Sequence, residues 1–384
     1  MKILFLDQSG SLGGAELCLL DIAKPYGDRA LVGLFADGTF KQLLEQQHIP
    51  VQVLTTQAIN TRKGSSLLQG LSSLGQLLPL IAQVTQLSRN FDLIYVNTQK
   101  ALVVGAIASL FSRKPLVYHL HDIVSLDHFS PTNCRIIVTL ANHFARLVIA
   151  NSKASQAAFV AAGGRKELTE IVYNGFEPSQ YQQQQAQVLQ IRQQLGLGDR
   201  FVVGHFSRLS PWKGQHILLN ALPYCSKDVT AVLVGDALFG EQDYVTQLRQ
   251  QVITLGLEDR VHFLGFRSDI PSLMATCDLV AHTSTAPEPF GRVIVEAMLC
   301  QRPVVAAAAG GASELVEHGQ TGWLCPPGNS QKLAEIIMTC RNHPEQAEAI
   351  AQQAQIRASQ RFDMMTINQA IAQLLSQIVT PSID

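Results

Sequence analysis

Short apolar runs alternate with longer stretches of mixed polarity along most of this chain. Such runs are typical of strands that are buried on both faces, and the stretches between them have the length and periodicity of helices. The alternation therefore predicts an α/β fold built on parallel, doubly wound sheets. In the first half of the chain the pattern predicts strands at Ile3–Leu6, Ala30–Phe35, Val51–Leu54, Leu93–Val96, Leu116–His119, Leu147–Ala150 and Glu170–Tyr173.

The alternation is interrupted between residues 176 and 200, where the sequence is rich in glutamine. A second series then predicts strands at Phe201–Phe206, Val229–Val234, Val261–Leu264, Leu279–His282, Val304–Ala307 and Gly322–Leu324. We therefore expect two Rossmann-like domains, at residues 1–175 and 176–361. The segment 362–384 has helical periodicity, and it either packs on the second domain or returns to the first.

Length and composition agree with two globular domains. The 384 residues exceed the usual size of a single core, and a composition that is 47% hydrophobic and 15% charged excludes a disordered chain. The seven cysteines are scattered and never spaced as C-x-x-C, which predicts neither a disulfide framework nor a zinc site. The longest apolar run, 101–111, is about half the roughly 20 residues that span a bilayer, and no signal-peptide pattern is present. We expect a cytoplasmic protein.

The charge distribution gives a weaker indication of partners. Residues 1–175 contain 15 Lys and Arg against 11 Asp and Glu, within an overall net charge of −1. An excess of this size is typical of solvated surface, and contact with an anionic membrane face or a phosphorylated acceptor is the alternative. A nucleic-acid partner is not expected, because no basic stripe with interleaved aromatic residues is present.

The segment Thr283–Met298 follows a predicted strand and opens a predicted helix, and it contains the strongest candidate site. Pro289 and Gly291 favour a tight turn, so we expect Glu288 in the loop and Glu296 about two turns into the helix. The amides and dipole at the start of such a helix favour phosphate or sugar oxygens, and a carboxylate inside it can accept both hydroxyls of a ribose. The alternative is a surface helix with an acidic cap.

Two cations lie in the loop after the first strand of the second domain. Arg208 offers a planar guanidinium and Lys213 an ammonium, and a helix is predicted from Gln215. Together they can neutralise a departing nucleotide diphosphate without a metal ion. The alternative is a pair of solvated surface cations.

Two further signals occur in the first domain. Gly13 and Gly14 follow the first strand and allow backbone amides to approach an anion at a helix start, although a plain strand-to-helix turn would also use glycine. His119 and His121 end another strand on the same face. We expect no metal there, because the motif shows no third ligand, and a structural role for either histidine is the alternative.

Two loops of the second domain add weaker candidates. Gly310 and Gly311 follow a strand and precede a helix, so that they form an anion-binding turn or an ordinary cap. The segment Gly265, Phe266 and Arg267 can present backbone groups and a flat guanidinium to a nucleobase.

Taken together and in this order, the motifs resemble those of the glycosyltransferases of family 4, also called group 1. The resemblance covers nearly the whole chain, and the Glu288 to Glu296 segment is its most diagnostic part. The segments that carry it are 13–16, 121–122, 151–152, 173–175, 208–214, 265–266, 288–296 and 310–311.

The resemblance implies the GT-B fold, with two facing Rossmann-like domains, an interdomain cleft, and a C-terminal helix at 362–384 that returns to the first domain. It also implies transfer with retention of the anomeric configuration and no required metal ion or other cofactor. The partners that it implies are a nucleotide-diphosphate sugar and a saccharide or lipid-linked acceptor, used for cell-surface polysaccharide or glycolipid at the cytoplasmic membrane face.

The resemblance also implies roles for individual residues. Arg208 and Lys213 would bind the donor diphosphate, and Glu296 would hold the ribose. Glu288 would contact the donor sugar together with the backbone of Phe290 and Gly291. His121 would lie near the transferred sugar, so the expected catalytic set is His121, Glu288, Arg208 and Lys213.

Other functions remain open from the residues alone. A sugar-nucleotide epimerase or a phosphorylase can share the fold, and a non-catalytic sugar-nucleotide-binding scaffold could retain it. The scaffold would not need Arg208, Lys213, Glu288 and Glu296 together. A dinucleotide-dependent dehydrogenase is disfavoured because G-x-G-x-x-G is absent.

Overall fold

The computed structural model describes residues 1–55, 67–182, 185–238 and 240–379. The strands are β1 Ile3–Asp7, β2 Ala30–Leu34, β3 Val51–Val53, β4 Leu93–Val96, β5 Leu116–Leu120, β6 Ala145–Ala150, β7 Thr169–Ile171, β8 Phe201–Phe206, β9 Val229–Val234, β10 Val261–Gly265, β11 Leu279–His282, β12 Val304–Ala307 and β13 Trp323–Cys325.

Helices connect these strands. The α-helices are α1 Gly14–Ala23, α2 Thr39–Gln46, α3 Leu67–Ser88, α4 Gln99–Ser112, α5 Pro131–Phe144, α6 Lys153–Ala161, α7 Gln185–Gln194, α8 Gln215–Ala221, α9 Gln242–Thr254, α10 Ile270–Ala275, α11 Arg292–Leu299, α12 Ala312–Leu315, α13 Ser330–Asn342, α14 Pro344–Arg361 and α15 Met364–Val379. Short 3-10 helices lie at Lys24–Arg29, Lys166–Leu168, Pro178–Tyr181, Pro211–Lys213, Leu222–Tyr224 and Glu258–Arg260.

The chain divides into two compact units. Unit 1 contains residues 1–175 and 364–384, and unit 2 contains residues 176–363. Residues 380–384, the end of the predicted segment 362–384, lie outside the described residues. Phe362 and Asp363 belong to unit 2, so the chain passes from one unit to the other just before Met364.

Each unit contains one parallel sheet whose chain order reverses in the middle. In unit 1 the order is β3-β2-β1-β4-β5-β6-β7, so the reversal lies between β1 and β4. In unit 2 the order is β10-β9-β8-β11-β12-β13, with the reversal between β8 and β11. These arrangements confirm the predicted α/β class with doubly wound parallel sheets. A switch point of this kind is where such sheets bind ligands, beyond the carboxyl ends of the strands.

The apolar runs are continuous because both faces of each sheet are covered. In β1, Ile3 and Phe5 belong to one hydrophobic cluster, whereas Leu4 and Leu6 belong to the cluster on the opposite face. All four side chains are buried. Alternate residues of a strand point to opposite faces, so a strand between two helical layers contains no polar alternation.

The last helix completes the core of unit 1. Ile371 and Leu375 of α15 are buried in the cluster that contains Ile3 and Phe5, and the Asn368 side chain donates a 3.0 Å hydrogen bond to the Asp21 carbonyl. The opposite side of this helix is solvated, since Met365 is 68% exposed. Unit 1 is therefore built from two separate segments of the chain.

The sequence predicts neither a disulfide framework nor a membrane-spanning helix. None of the seven cysteines, all of which lie in the described ranges, forms a disulfide. Among the helices that the structure describes, none has both the length and the apolar character needed to cross a bilayer.

Replacing Leu375 by alanine should lower the free energy of unfolding of unit 1 by about 2–5 kcal/mol, because it leaves a cavity in a closed core. Met365→Ala on the exposed side of the same helix is the matched control and should change it by less than about 0.5 kcal/mol. Chemical denaturation followed by circular dichroism measures both. Equal effects of the two substitutions would contradict the packing of α15 on unit 1.

Candidate functional site

Two loops of unit 2 converge at its switch point. One follows β8 and contains Lys213 and Gly214, and the other follows β11 and begins at Thr283. Gly214 has φ +73°, and a Cβ there would lie 2.0 Å from the Thr283 carbonyl oxygen. The Thr283 hydroxyl donates a 2.8 Å hydrogen bond back to the Gly214 carbonyl. Only glycine combines this conformation with this contact, so the two loops are held together at their backbones.

The second loop carries Glu288, which is buried. The Lys213 Nζ donates to both carboxylate oxygens of Glu288, at 3.0 and 2.8 Å. The Oε2 atom also accepts a hydrogen bond from the Ser284 hydroxyl at 3.0 Å and lies 3.1 Å from His282 Nε2. The indole ring of Trp212 lies beneath the lysine, with Nζ 4.0 Å from the ring centroid.

These partners decide the charge state of Glu288. Burial by itself would raise the pKa of this carboxyl, but the Lys213 ammonium and then His282 hold the pKa well below its ordinary value. Glu288 is thus an anion in the folded protein. Its oxygens are occupied by fixed donors, which makes it a poor proton donor and a strong anchor for Lys213.

The backbone of Glu288 is fixed by the loop after β12. Gly311 N donates a 2.7 Å hydrogen bond to the Glu288 carbonyl. Gly310 has φ +63°, and a Cβ there would lie 2.3 Å from the same carbonyl oxygen. The Gly310 and Gly311 segment, which we predicted as an anion-binding turn or a cap, therefore serves to position Glu288.

Arg208 lies in the loop after β8 and pairs with a different acid. Its Nε is 3.4 Å from Oε2 of Glu241, and the other oxygen of Glu241 accepts a 2.6 Å hydrogen bond from the Ser210 hydroxyl. Arg208 and Lys213 both follow β8 and are half-buried or more, each tethered to its own carboxylate. The loop therefore carries two oriented cations rather than two solvated ones.

Glu296 lies closer to the start of its helix than we predicted. α11 begins at Arg292 because Gly291 adopts φ +98°, so Glu296 is little more than one turn into the helix instead of two. Its carboxylate lies 3.5 Å from the Nε of Arg292, and the Cζ of Arg292 lies 4.5 Å from the ring centroid of Phe176. Burial raises the pKa of Glu296, and the Arg292 guanidinium opposes that rise.

The Phe290 side chain belongs to the core of unit 2. Its ring stacks on Phe176 at 6.3 Å and meets Phe362 edge-on at 5.8 Å. If Phe290 contacts a sugar, it does so through its backbone, as the resemblance implies. Gly291 supplies no side-chain cap to α11, so the first turn of that helix depends on other partners for its amides.

The predicted nucleobase segment ends β10. Gly265 has φ +66°, and its carbonyl accepts a 2.8 Å hydrogen bond from Gly235 N. Phe266 is 68% exposed. The Arg267 guanidinium makes a bidentate pair with Asp269 at 2.8 and 2.7 Å, so its planar face is held in one orientation at the surface.

In unit 1 the glycines accommodate a buried acid. Gly14 is the first residue of α1, and a Cβ at Gly13 would lie 2.7 Å from the carboxylate of Glu16. Burial, and then the charge of nearby Asp7, raises the pKa of Glu16. Gly13 has an extended backbone that any residue can adopt, and a side chain there would require the Glu16 carboxylate to move.

Asn97 connects Asp7 with His121. Its amide nitrogen donates to Asp7 Oδ2 at 2.7 Å and to the Ala15 carbonyl at 3.1 Å. The Oδ1 atom of Asn97 must then face His121, and it accepts a 2.8 Å hydrogen bond from His121 Nε2. His121 consequently carries a proton on Nε2, and its orientation is set by the carboxyl ends of three neighbouring strands.

His119 has a different environment. It is buried, its Nδ1 lies 2.7 Å from the Tyr95 hydroxyl, and its ring centroid is 3.9 Å from that of His121. Burial, and then His121, lowers its pKa well below the ordinary value, which keeps the ring neutral. Cys18 of α1 lies near both histidines and supplies the third potential ligand that the sequence motif did not show.

Sequence reasoning assigned no role to Asp7, Asn97, His282 and Ser284, which position the site, or to Cys18, which lies near both histidines. Three of them are at a strand end, because Asp7 and His282 are the last residues of β1 and β11 and Asn97 follows β4 directly. A search for polar residues at the ends of apolar runs would have found these three. Cys18 gives no such signal, since it lies within a helix.

Comparison with known proteins identifies similar families and structures. A family model described as Glycosyl transferases group 1 matches residues 187–357, and one described as Glycosyltransferase Family 4 matches residues 12–180. The crystal structure of Anabaena Alr3699/HepE in complex with UDP and glucose has 67% sequence identity and a TM-score of 0.92, over 98% of this chain and 99% of that one. The same protein has a structure in complex with UDP-glucose, also with a TM-score of 0.92.

Curated relatives align over part of their length. Spore coat protein SA of Bacillus subtilis is 32% identical over 210 residues, which are 50% of this chain and 55% of that protein. A GDP-mannose-dependent alpha-(1-6)-phosphatidylinositol monomannoside mannosyltransferase of Mycolicibacterium smegmatis is 29% identical over 233 residues, or 59% and 60% of the two chains. The chain thus spans little more than half the length of these relatives.

Lys213→Met should lower the free energy of unfolding of unit 2 by about 3–5 kcal/mol at neutral pH, because it leaves the buried Glu288 anion without its cation. Lys332→Met removes the exposed 2.7 Å pair with Glu335 and should cost at most about 1 kcal/mol.

Adding Glu288→Leu to Lys213→Met should recover most of the loss, because no buried charge then remains. The difference between wild type and Lys213→Met should also shrink as the pH falls below the ordinary glutamate range. Glu288 in the variant is then protonated and no longer a buried unpaired charge. In the wild type, the ion pair contributes less to the free energy of unfolding as the pH approaches the depressed pKa of Glu288. Urea unfolding at several pH values tests both points, and a pH-independent difference would contradict the assigned charge state.

Proposed function

The chain belongs to family 4 of the glycosyltransferases, group 1, and has the GT-B fold, and from this premise we propose that it transfers a sugar from a UDP-sugar to an acceptor hydroxyl with retention of configuration. The observation that carries the proposal is the buried Lys213–Glu288 pair at the switch point of unit 2, with Arg208 and Glu296 on the adjoining segments. A metal ion is not part of the proposed reaction.

The proposed donor is UDP-glucose or a closely similar UDP-sugar. Support comes from Anabaena Alr3699/HepE, which has 67% and 66% identity with this chain in its complexes with UDP and glucose and with UDP-glucose. The mycobacterial relative named for GDP-mannose has 29% identity over 59% of the chain. The weight of similarity therefore favours uridine as the base.

Lys213 can bind a diphosphate without leaving Glu288. An ammonium has three N–H donors, and two of them point to the carboxylate oxygens. The third can donate to a phosphate oxygen of the donor. In this role Glu288 holds the ammonium in place, and the positive charge stabilises the negative charge that develops on the departing UDP.

Arg208 supplies the second cation in the proposal. Its ion pair with Glu241 is longer than the Lys213 pair, at 3.4 Å against 2.8 Å, and its side chains are more exposed, at 28% and 27% against 17% and 10%. The guanidinium can therefore exchange part of this contact for a phosphate. A planar guanidinium binds phosphate oxygens in a bidentate manner. We assign Arg208 and Lys213 jointly to leaving-group stabilisation.

Glu296 and Glu288 have different roles in the proposal. Glu296 accepts the ribose hydroxyls from a position just inside α11, where Arg292 keeps its carboxylate oriented. Glu288 contacts the donor sugar as a permanent anion and stabilises positive charge at the anomeric carbon. With its oxygens bound to Lys213, Ser284 and His282, Glu288 is not suited to protonate a leaving group. We propose same-face attack, with the departing phosphate accepting the acceptor proton.

Unit 1 is proposed to provide the acceptor side and His121. The hydrogen bond from His121 Nε2 to Asn97 holds the ring in one orientation, which suits a residue that positions the transferred sugar. The acceptor is a saccharide or a lipid-linked saccharide of cell-surface polysaccharide or glycolipid synthesis. A location in the cytoplasm, with contact at the membrane face, belongs to the same proposal.

UDP should raise the melting temperature of the protein in the absence of added metal, and GDP and ADP should do so less. Glu296→Gln should weaken UDP binding roughly tenfold to hundredfold, because one hydrogen bond to a charged group is lost. Glu335→Gln, at an exposed helical position, is the matched control and should leave the affinity unchanged. Thermal shift and calorimetry measure the binding, and the absence of any nucleotide effect would favour a non-catalytic scaffold.

Arg208→Ala should lower kcat roughly a hundredfold to a thousandfold with UDP-glucose, because a group that stabilises transition-state charge is removed. Lys332→Ala should leave kcat unchanged, and so should EDTA. The product's anomeric proton, observed by NMR before any epimerisation, should show the α configuration of the donor. A β product would refute retention, and full activity of Arg208→Ala would refute the diphosphate assignment.

A further inference from the structure

The two cations of the loop after β8 are paired with their acids in different ways. Lys213 donates hydrogen bonds to both oxygens of Glu288, at 3.0 and 2.8 Å. Arg208 lies farther from its acid, with 3.4 Å between its Nε and Oε2 of Glu241. This oxygen of Glu241 is buried and accepts no hydrogen bond from any residue that the structure describes. The contact between Arg208 and Glu241 is therefore a charge pair without hydrogen-bond geometry.

The carboxylate of Glu241 is held in place from its other side. Its Oε1 accepts a 2.6 Å hydrogen bond from the hydroxyl of Ser210, which is buried in the same loop as Arg208. Glu241 directly precedes α9, whose first residue is Gln242. Because Ser210 makes this hydrogen bond, the carboxylate is anchored independently of the guanidinium. It stays beside the loop when the guanidinium turns toward another anion.

A carboxylate that stays in place opposes an incoming diphosphate in two ways. The guanidinium of Arg208 must give up part of its ion pair with Glu241 before it can bind phosphate oxygens in a bidentate manner. The charge of Glu241 then lies near the charge of the diphosphate, and like charges at short range repel each other. Both effects act on UDP and on a UDP-sugar alike, since the two ligands contain the same diphosphate.

We propose that Glu241 limits the affinity of this site for UDP and thereby promotes the release of UDP after transfer. The inference rests on the proposed function, in which Arg208 binds the donor diphosphate. As the nucleotide leaves, the guanidinium returns to the carboxylate of Glu241, which replaces the lost negative charge. Tighter binding of donor and product alike would not accelerate transfer, and it would slow product release. Glu241 acts through Arg208 and is a positioning residue.

The pair of Lys213 with Glu288 does not have this function. The Glu288 carboxylate also accepts a hydrogen bond from Ser284 and lies 3.1 Å from His282 Nε2, so it is fixed on several sides. Lys213 keeps a third N–H donor for a phosphate oxygen, and a phosphate can bind there without any exchange. The site thus combines one cation that keeps its acid throughout the reaction with one cation that exchanges it.

Glu241→Gln tests the inference because it removes the charge and preserves the shape of the side chain. The amide oxygen can still accept the hydrogen bond from Ser210, so the loop keeps its anchor. UDP should bind this variant roughly threefold to tenfold more tightly than the wild type, because the competing charge is gone. Isothermal titration calorimetry of the full-length protein without added metal measures both affinities, and circular dichroism checks the fold.

Asp243→Asn is the matched control. Asp243 lies in the first turn of α9 and is exposed, so the substitution removes one negative charge from the same end of the same helix. It should change the affinity for UDP by less than about twofold, because solvent and salt screen an exposed charge. An equal gain in both variants would overturn the inference, since the gain would then come from net charge.

Steady-state kinetics provide a second readout. With UDP-glucose as the donor, Glu241→Gln should lower the donor KM and the inhibition constant of UDP by similar factors of roughly threefold to tenfold, without raising kcat. An acid that only orients Arg208 would give the opposite result, with weaker UDP binding and a lower kcat in the variant.

UDP binding by Glu241→Gln that is equal to or weaker than that of the wild type would overturn the inference. The proposed function would be unaffected by that result as long as the wild type binds UDP and transfers the sugar. If the wild type binds no uridine nucleotide, the proposed donor fails, and the inference fails with it.

Discussion

A buried carboxylate remains an anion only if fixed donors replace the water that it has lost, and in unit 2 this condition depends on Lys213. The ammonium and Glu288 come from loops after β8 and β11, the two strands at which the chain order reverses. Each loop needs a glycine at positive φ, Gly214 in the first and Gly310 beside the second, so that the backbones approach closely enough. The ion pair, the backbone contacts and the switch point are therefore one arrangement, and a change in any of them displaces the cation proposed to bind phosphate.

Unit 1 has the same topology, but at its switch point the side chains are joined by hydrogen bonds through Asn97 instead of by an ion pair. Asp7 ends β1, and Asn97 and His121 directly follow β4 and β5. These three strands are neighbours in the sheet, so the side chains meet although they are far apart in sequence. The Asn97 amide has only one orientation that satisfies both Asp7 and His121. A polar chain of this kind orients an imidazole without placing a cation beside it.

The strand pattern was readable from the sequence because two-sided burial produces continuous apolar runs, and all thirteen predicted strands occur near their expected places. Local turn chemistry was harder to predict. Glu296 was placed one turn too deep because the left-handed conformation of Gly291 delays the start of α11. Partners brought together by topology, such as His282 with Glu288 and Cys18 with His119, leave no local signature, since their spacing in sequence carries no information about their distance.

The division of unit 1 into two chain segments affects the order in which the molecule can be assembled. During synthesis all residues of unit 2, 176–363, are available before α15 has been made. The cluster around Ile3 and Phe5, which α1 and α2 cover only in part, stays incomplete until Ile371 and Leu375 are added. The nascent chain thus has an aggregation-prone interval whose length is set by the time needed to translate the whole of the second unit, and a chaperone that shields this one sheet face would have the greatest effect on yield.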